Sequence, residues 1–228
     1  MEDISQHYLS APQRATQGER TISIDEMTGI QALERAMPTL PMRPGKVECR
    51  EFEYLRHGTQ TLIANFDVVT GQVVAPTIDH QRTEADFLAH CQRLIASEPN
   101  VSKWHLMMDC LNIHQSESLV LWVADLEGIS RETLGVKGKF GILKSMTTRA
   151  QFLTHRGHKV VFHFTPKHCS WLNQVEIWFS ILTRKLLRRG NFSSQANLKQ
   201  QILDFIDYFN QKLAHPFQWT FKGKLLAV

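Results

Sequence analysis

Three short apolar runs, each bounded by turn or helix signals, limit most strongly how this chain can fold. Residues 20–24 (RTISI), 103–108 (KWHLMM) and 159–164 (KVVFHF) are too short for buried helices and rich in β-branched or aromatic residues. Residues 59–66 (TQTLIANF) and 72–78 (QVVAPTI) add two strands around Val69-Thr70-Gly71, a hairpin signal. Helical patterns lie between the runs. Residues 83–95 open with Thr83 and Asp86 at capping-box spacing and bury Phe87, Leu88, Cys91, Leu94 and Ile95, and Glu98-Pro99-Asn100 ends them. Further helices are expected over 116–126 and 195–213, the latter with Leu198, Ile202, Phe205, Ile206 and Phe209 on one side.

The order is strand, hairpin, helix, strand, helix, strand, helix. It predicts an α/β fold, a mixed sheet flanked by helices in the ribonuclease H-like arrangement. The first run delivers Asp25 at its end, with Gly29 read as a turn, and the run at 103–108 delivers Asp109. Sheets of this kind place their ligands at such strand ends. A lone Asp after a strand is ordinarily a turn or cap residue, so the pair needs a third element.

That element is the stretch 165–189, TPKHCSWLNQVEIWFSILTRKLLRR. At helical spacing Trp171, Val175, Trp178, Phe179, Leu182 and Leu186 form a buried stripe, which reads Trp171 as core rather than as a base-stacking surface. Glu176 lies on another face, within a turn of Asn173 and Ser180. Between Lys137 and Gly190 stand eleven Lys or Arg and one acid, Glu176, a net of +10 against −6 for the remainder. Clustering of that kind fits a polyanion, and equally a solvated basic face.

Phosphodiester cleavage at neutral pH needs an activated nucleophile and charge relief on the leaving oxygen. Two divalent ions about 3.5–4 Å apart supply both, and hard ions such as Mg²⁺ or Mn²⁺ need only two or three carboxylates. Asp25, Asp109 and Glu176 meet that need as catalytic and metal-ligating residues. His114 is either a helix-start or packing residue or one that orients a metal-bound water or contacts a phosphate, and Asn112 is a cap or a partner supporting the metal ligands. Lys167, His168, Asn173, Arg184, Lys185, Arg188 and Arg189 are the candidate DNA contacts, of the phosphate-positioning kind. A zinc site from His163, His168 and Cys169 lacks a second spaced pair and is disfavoured.

ISIDEMTGIQA, LMMDCLNIH and FTPKHCSWLNQVEIWFSILTRKLLRR closely resemble the three motif regions of bacterial insertion-sequence transposases of the Tc/mariner-like DDE group. The likeness runs on through FNQKLAHPFQWTFKGK, from residue 20 to the C-terminus. It implies a ribonuclease H-like catalytic domain that uses Mg²⁺ or Mn²⁺ to hydrolyse DNA at transposon ends and transfer the strand. The implied partner is double-stranded DNA, as transposon ends and target, and a homodimer is compatible with that reading. The family triad falls on Asp25, Asp109 and Glu176.

Three departures stand out. Cys110 replaces the Asn common after the second Asp. The interval from Asp109 to Glu176 is 67 residues, roughly twice the usual. Only about 20 residues precede the first strand, too few for the helix-turn-helix module of full-length relatives. The expected organisation is an arm without fixed structure over 1–19, a catalytic domain over 20–213 carrying a basic insertion at 128–158, and a tail over 214–228 whose Phe217 and Trp219 pack back on the body. Scattered cysteines without a CxxC pair, no signal peptide and no long apolar run predict a cytoplasmic, nucleoid-associated protein. A catalytically silent DNA-binding remnant and a cellular nuclease of the junction-resolvase kind are the competing readings; the Glu176 motif argues against the nuclease.

Overall fold

The sheet is built outward from one long strand. In the computed structural model, which describes residues 2–49 and 51–221, β1 (Glu19–Arg35) pairs antiparallel with β2 (Tyr54–Asp67), and β2 in turn with β3 (Val73–Asp79). On its other edge β1 runs parallel to β4 (Lys103–Met108). After a small two-stranded hairpin of β5 (Gly135–Val136) and β6 (Phe140–Gly141), β7 (Val160–Phe164) joins β4, also in parallel. The five-stranded order is β3-β2-β1-β4-β7.

Alternation divides the sheet into two faces. Ile22, Ile24, Leu106, Met108 and Phe162 face α2 (Glu84–Ser97), α3 (Glu117–Leu126) and α4 (Met146–Leu153), where Phe87, Leu94, Leu119, Val123 and Leu153 complete one core. Leu62, Ala64 and Phe66 face the opposite side, against Trp178 and Leu182 of α5 (Val175–Leu182) and Ile202 and Phe209 of α6 (Gln195–Lys212). The expected capping box of α2 forms, with Thr83 Oγ1 and Asp86 Oδ2 each serving the other's backbone N–H.

Several expectations need correction. Residues 2–15 form a helix, α1 (Glu2–Ala15), rather than a loose arm. Its Ile4, Tyr8 and Ala11 join Met107 and Leu172 in a third apolar cluster, so burial of one face orders it. β1 does not end at Asp25, because β2 keeps pairing with it out to Arg35. Gly29, at φ +68°, is absorbed as a bulge between Met27 and Ile30 instead of a turn. The segment 128–158, expected as a basic insertion, packs into the body of the domain, since Leu134, Leu143 and Leu153 belong to the main core. Phe217 stacks on Phe66 at 4.5 Å and Trp219 meets Tyr8 at 4.8 Å, as the tail reading expects; residues 222–228 lie outside the described residues. No helix among the described residues is long and apolar enough to cross a membrane.

Candidate active site

The site forms where β1 outruns its parallel neighbour. Pairing of β1 with β4 stops at Ser23 and Met107, so Asp25 and Asp109 both emerge at the carboxyl end of the parallel strands. Alternation then sends Ser23 and Asp25 toward α5, and Glu26 to the opposite face.

Three buried side chains fasten α5 to this strand. Asn173 Nδ2 donates to the Ile24 carbonyl at 2.7 Å and to Asp25 Oδ2 at 3.1 Å, while Asn173 Oδ1 accepts from the Ser23 hydroxyl. Ser23 Oγ accepts in turn from the Val175 N–H at 2.9 Å. Glu176, in the first turn of α5, is thereby brought beside Asp25, an interaction that favours its charged form. Asp25 is 7% exposed. Burial, joined by the charges of Glu26, Glu176 and Asp109, raises its pKa to about 7 against the usual 3.8. Burial also raises Glu176 and, with the charge of Asp109, outweighs the lowering by Asp25.

Asp109 behaves oppositely. Burial pushes its pKa up, but the hydrogen bond and charge of His114, the Leu111 N–H and the charge of Arg82 outweigh that and lower it. His114 is fully buried; its Nδ1 lies 2.7 Å from Asp109 Oδ1 and its Nε2 lies 2.9 Å from Glu26 Oε1. Both ring nitrogens face carboxylates, so the doubly protonated ring satisfies both. Burial disfavours that charge, yet Asp109 and Glu26 overcome it and raise the pKa to about 9. Arg82 completes the chain at 3.0 Å from Glu26 Oε2. Cys110, in the place of the common Asn, donates to the Thr165 carbonyl at 3.0 Å and ties the ends of β4 and β7 together.

Sequence reasoning missed Ser23, Glu26 and Arg82. Glu26 was legible in part: strand alternation sends it away from Asp25 toward the helices that carry Phe87 and His114, where an acid needs a partner. Nothing local marked Arg82, which lies 56 residues away.

Among the expected DNA contacts, Lys167, His168, Arg184, Lys185, Arg188 and Arg189 are exposed. No ion pair among the described residues engages these cations. Glu176 and Arg184 line one open depression with Met27, Phe179, Ser180 and Thr183. Asn173 does not belong with them, because it is fully buried and its amide is spent on β1. Asn112 is exposed at the start of a 3₁₀ turn and bonds no site carboxylate. Trp171 is 51% exposed rather than core. Residues 170–172 form a separate 3₁₀ turn before α5, so the helical stripe does not extend back to it, and its ring meets Phe221 edge-on at 5.0 Å. Beyond α5 a π-helical turn, Thr183–Leu187, widens the spiral and leaves Leu186 only half-buried.

A mixed sheet in this order, flanked by helices and carrying acids at the ends of its parallel strands, defines a ribonuclease H-like fold. The chain belongs to the DDE superfamily endonucleases, whose family model matches residues 20–199. The fold is that of the Mos1 transposase in its paired-end complex with the left transposon end, at TM-score 0.53 and 11% identity over 90% of this chain. The Mos1 strand transfer complex gives TM-score 0.49 and 9% identity over 91% of this chain. The chain spans 53% of the length of either. No curated protein matches the sequence.

Proposed function

We propose that this chain is the catalytic domain of a DDE transposase of the Tc/mariner-like group, cleaving DNA at insertion-sequence ends and transferring the strand to target DNA. The observation that carries the reading is the grouping of Asp25, Asp109 and Glu176 at one sheet end, beside a basic run that no ion pair among the described residues engages. Family membership supports the endonuclease class; transposon ends, target DNA and strand transfer are the finer proposal.

The donor set fits hard divalent cations. Burial raises the pKa of both Asp25 and Glu176, the charge of Asp109 adds to each, and among the described residues no Lys or Arg ion pair relieves either. A cation relieves that repulsion, and oxygen-only ligands select Mg²⁺ or Mn²⁺. Two such ions on these carboxylates supply an activated nucleophile and charge relief on the leaving oxygen. The remaining work belongs to the chain. His114 holds the Asp109 carboxylate in position, Asn173 holds Asp25, and Lys167 with Arg184, Lys185, Arg188 and Arg189 binds phosphates.

Asp109→Ala tests the assignment. Mg²⁺-dependent DNA cleavage should disappear while DNA affinity stays equal or rises slightly, since a negative charge has been removed from the DNA side. Unchanged cleavage removes Asp109 from the site.

A further inference from the structure

Beyond the carboxylate site, a second group of metal-type ligands lies under α1. His7 from α1, His105 from β4 and His163 from β7 each offer a ring nitrogen, all within 4.8 Å of one another. Each residue is 7% exposed. His105 Nδ1 lies 3.0 Å from His163 Nε2, and the His7 and His163 ring centroids are 3.7 Å apart. Among the described residues, His7 Nδ1 is buried without a hydrogen-bond partner, a cost that a native fold ordinarily avoids.

The surroundings complete the pattern of a nitrogen-ligand site. Glu19 Oε2, 2.9 Å from His105 Nε2, accepts that N–H and leaves Nδ1 as a lone pair that accepts from His163 Nε2 at 3.0 Å and is the ring's metal-binding atom. A carboxylate behind an imidazole in this way is the usual support for a metal-bound histidine. Burial, together with neighbouring cationic groups, lowers the pKa of all three rings, that of His7 to about 4, so they are neutral ligands at physiological pH. Arg14 and Arg156 face the cluster, and Asp3 and Glu19 offset their charge. Tetrahedral zinc with bonds of about 2.0–2.1 Å needs ligand nitrogens about 3.4 Å apart, which lies between the 3.0 Å of the His105–His163 pair and the 4.8 Å limit of the group.

We propose that His7, His105 and His163 bind one zinc-class divalent cation, which clips α1 to β4 and β7. His163 thus ligates with His7 and His105, whereas His168 and Cys169 are not in the group. The site is chemically separate from the carboxylates, because imidazole nitrogen favours zinc and cobalt where carboxylate oxygen favours magnesium.

The test is a Co²⁺ titration of the metal-stripped full chain in excess Mg²⁺, read by visible ligand-field absorption. One equivalent should give the intense bands of a low-coordinate, nitrogen-ligated ion. Those bands should vanish in His7→Gln and in His163→Gln, with folding checked by circular dichroism, and persist in Asp109→Ala. Limited proteolysis gives a readout independent of the strand variant: Zn²⁺ should slow cleavage within residues 2–18 of wild type and not of His7→Gln. Absent bands in wild type, or bands and protection that survive His7→Gln, overturn the proposal.

Discussion

Asn173→Ala separates two accounts of the same residue. Sequence spacing places it among the phosphate contacts, whereas the structure buries it fully and spends its amide on the Ile24 carbonyl, Asp25 Oδ2 and the Ser23 hydroxyl. The variant loses three buried hydrogen bonds. At about 1 kcal/mol for each neutral bond and about 1.5–3 for the one to a carboxylate, the loss is about 3–5 kcal/mol. With a urea m-value of about 2 kcal/mol/M, the unfolding midpoint should fall by about 2 M. Cleavage should fall with it, since Asp25 loses its clamp and α5 its anchor. DNA affinity measured by anisotropy on the folded variant should stay within about twofold, because no solvent-facing atom changes. A midpoint unchanged within error, together with an affinity loss of tenfold or more, would refute the positioning role.

Two further outcomes follow from the electrostatics. His90 is buried between Thr77 Oγ1 at 2.6 Å and Asn65 Oδ1 at 2.8 Å, and burial, with the charge of Arg93, lowers its pKa to about 3 from 6.5. A depressed histidine stabilises fully above the unfolded value and loses that contribution as pH falls toward the folded one, about 5 kcal/mol in all and about 3 kcal/mol by pH 4.5. The stability lead of wild type over His90→Gln should therefore narrow by that amount between pH 7 and pH 4.5; parallel pH profiles contradict it. Charge reversal at Arg188 and Arg189 should weaken DNA binding and lower the slope of log K against log salt by about 2 or more. An unchanged slope would mean that this cluster faces only solvent.

Much of the fold was legible because its signals are local. The capping box at Thr83, the strand at 103–108 and the hairpin around Thr70 each depend on a few adjacent residues, and each appears where expected. What escaped depends on partners distant in sequence. Residues 2–15 do carry helical spacing, with Ile4, His7, Tyr8 and Ala11 on one face, but a stripe that is half polar or small reads as polar in sequence, and the sheet face beneath it supplies the burial. Asp25 seemed to end a strand because nothing near Gly29 reveals that β2 pairs on to Arg35. The carboxylates were legible from spacing and motif resemblance, but their supports were not. The bond from Ser23 to Asn173 joins residues 150 apart, and the one from Glu26 to His114 joins residues 88 apart. Trp171 was misread for a related reason: periodicity cannot say where a helix gives way to a 3₁₀ turn.

The most direct test is nicking of supercoiled plasmid by the purified chain in Mg²⁺ or Mn²⁺, with wild type and Glu176→Gln compared at equal DNA occupancy. The carboxylate-site account predicts metal-dependent nicking by wild type that Glu176→Gln abolishes while still folding and binding DNA. Nicking that survives the substitution would contradict a role for Glu176. Absence of nicking by a folded, DNA-binding wild type would contradict catalysis by this chain and leave it a DNA-binding protein.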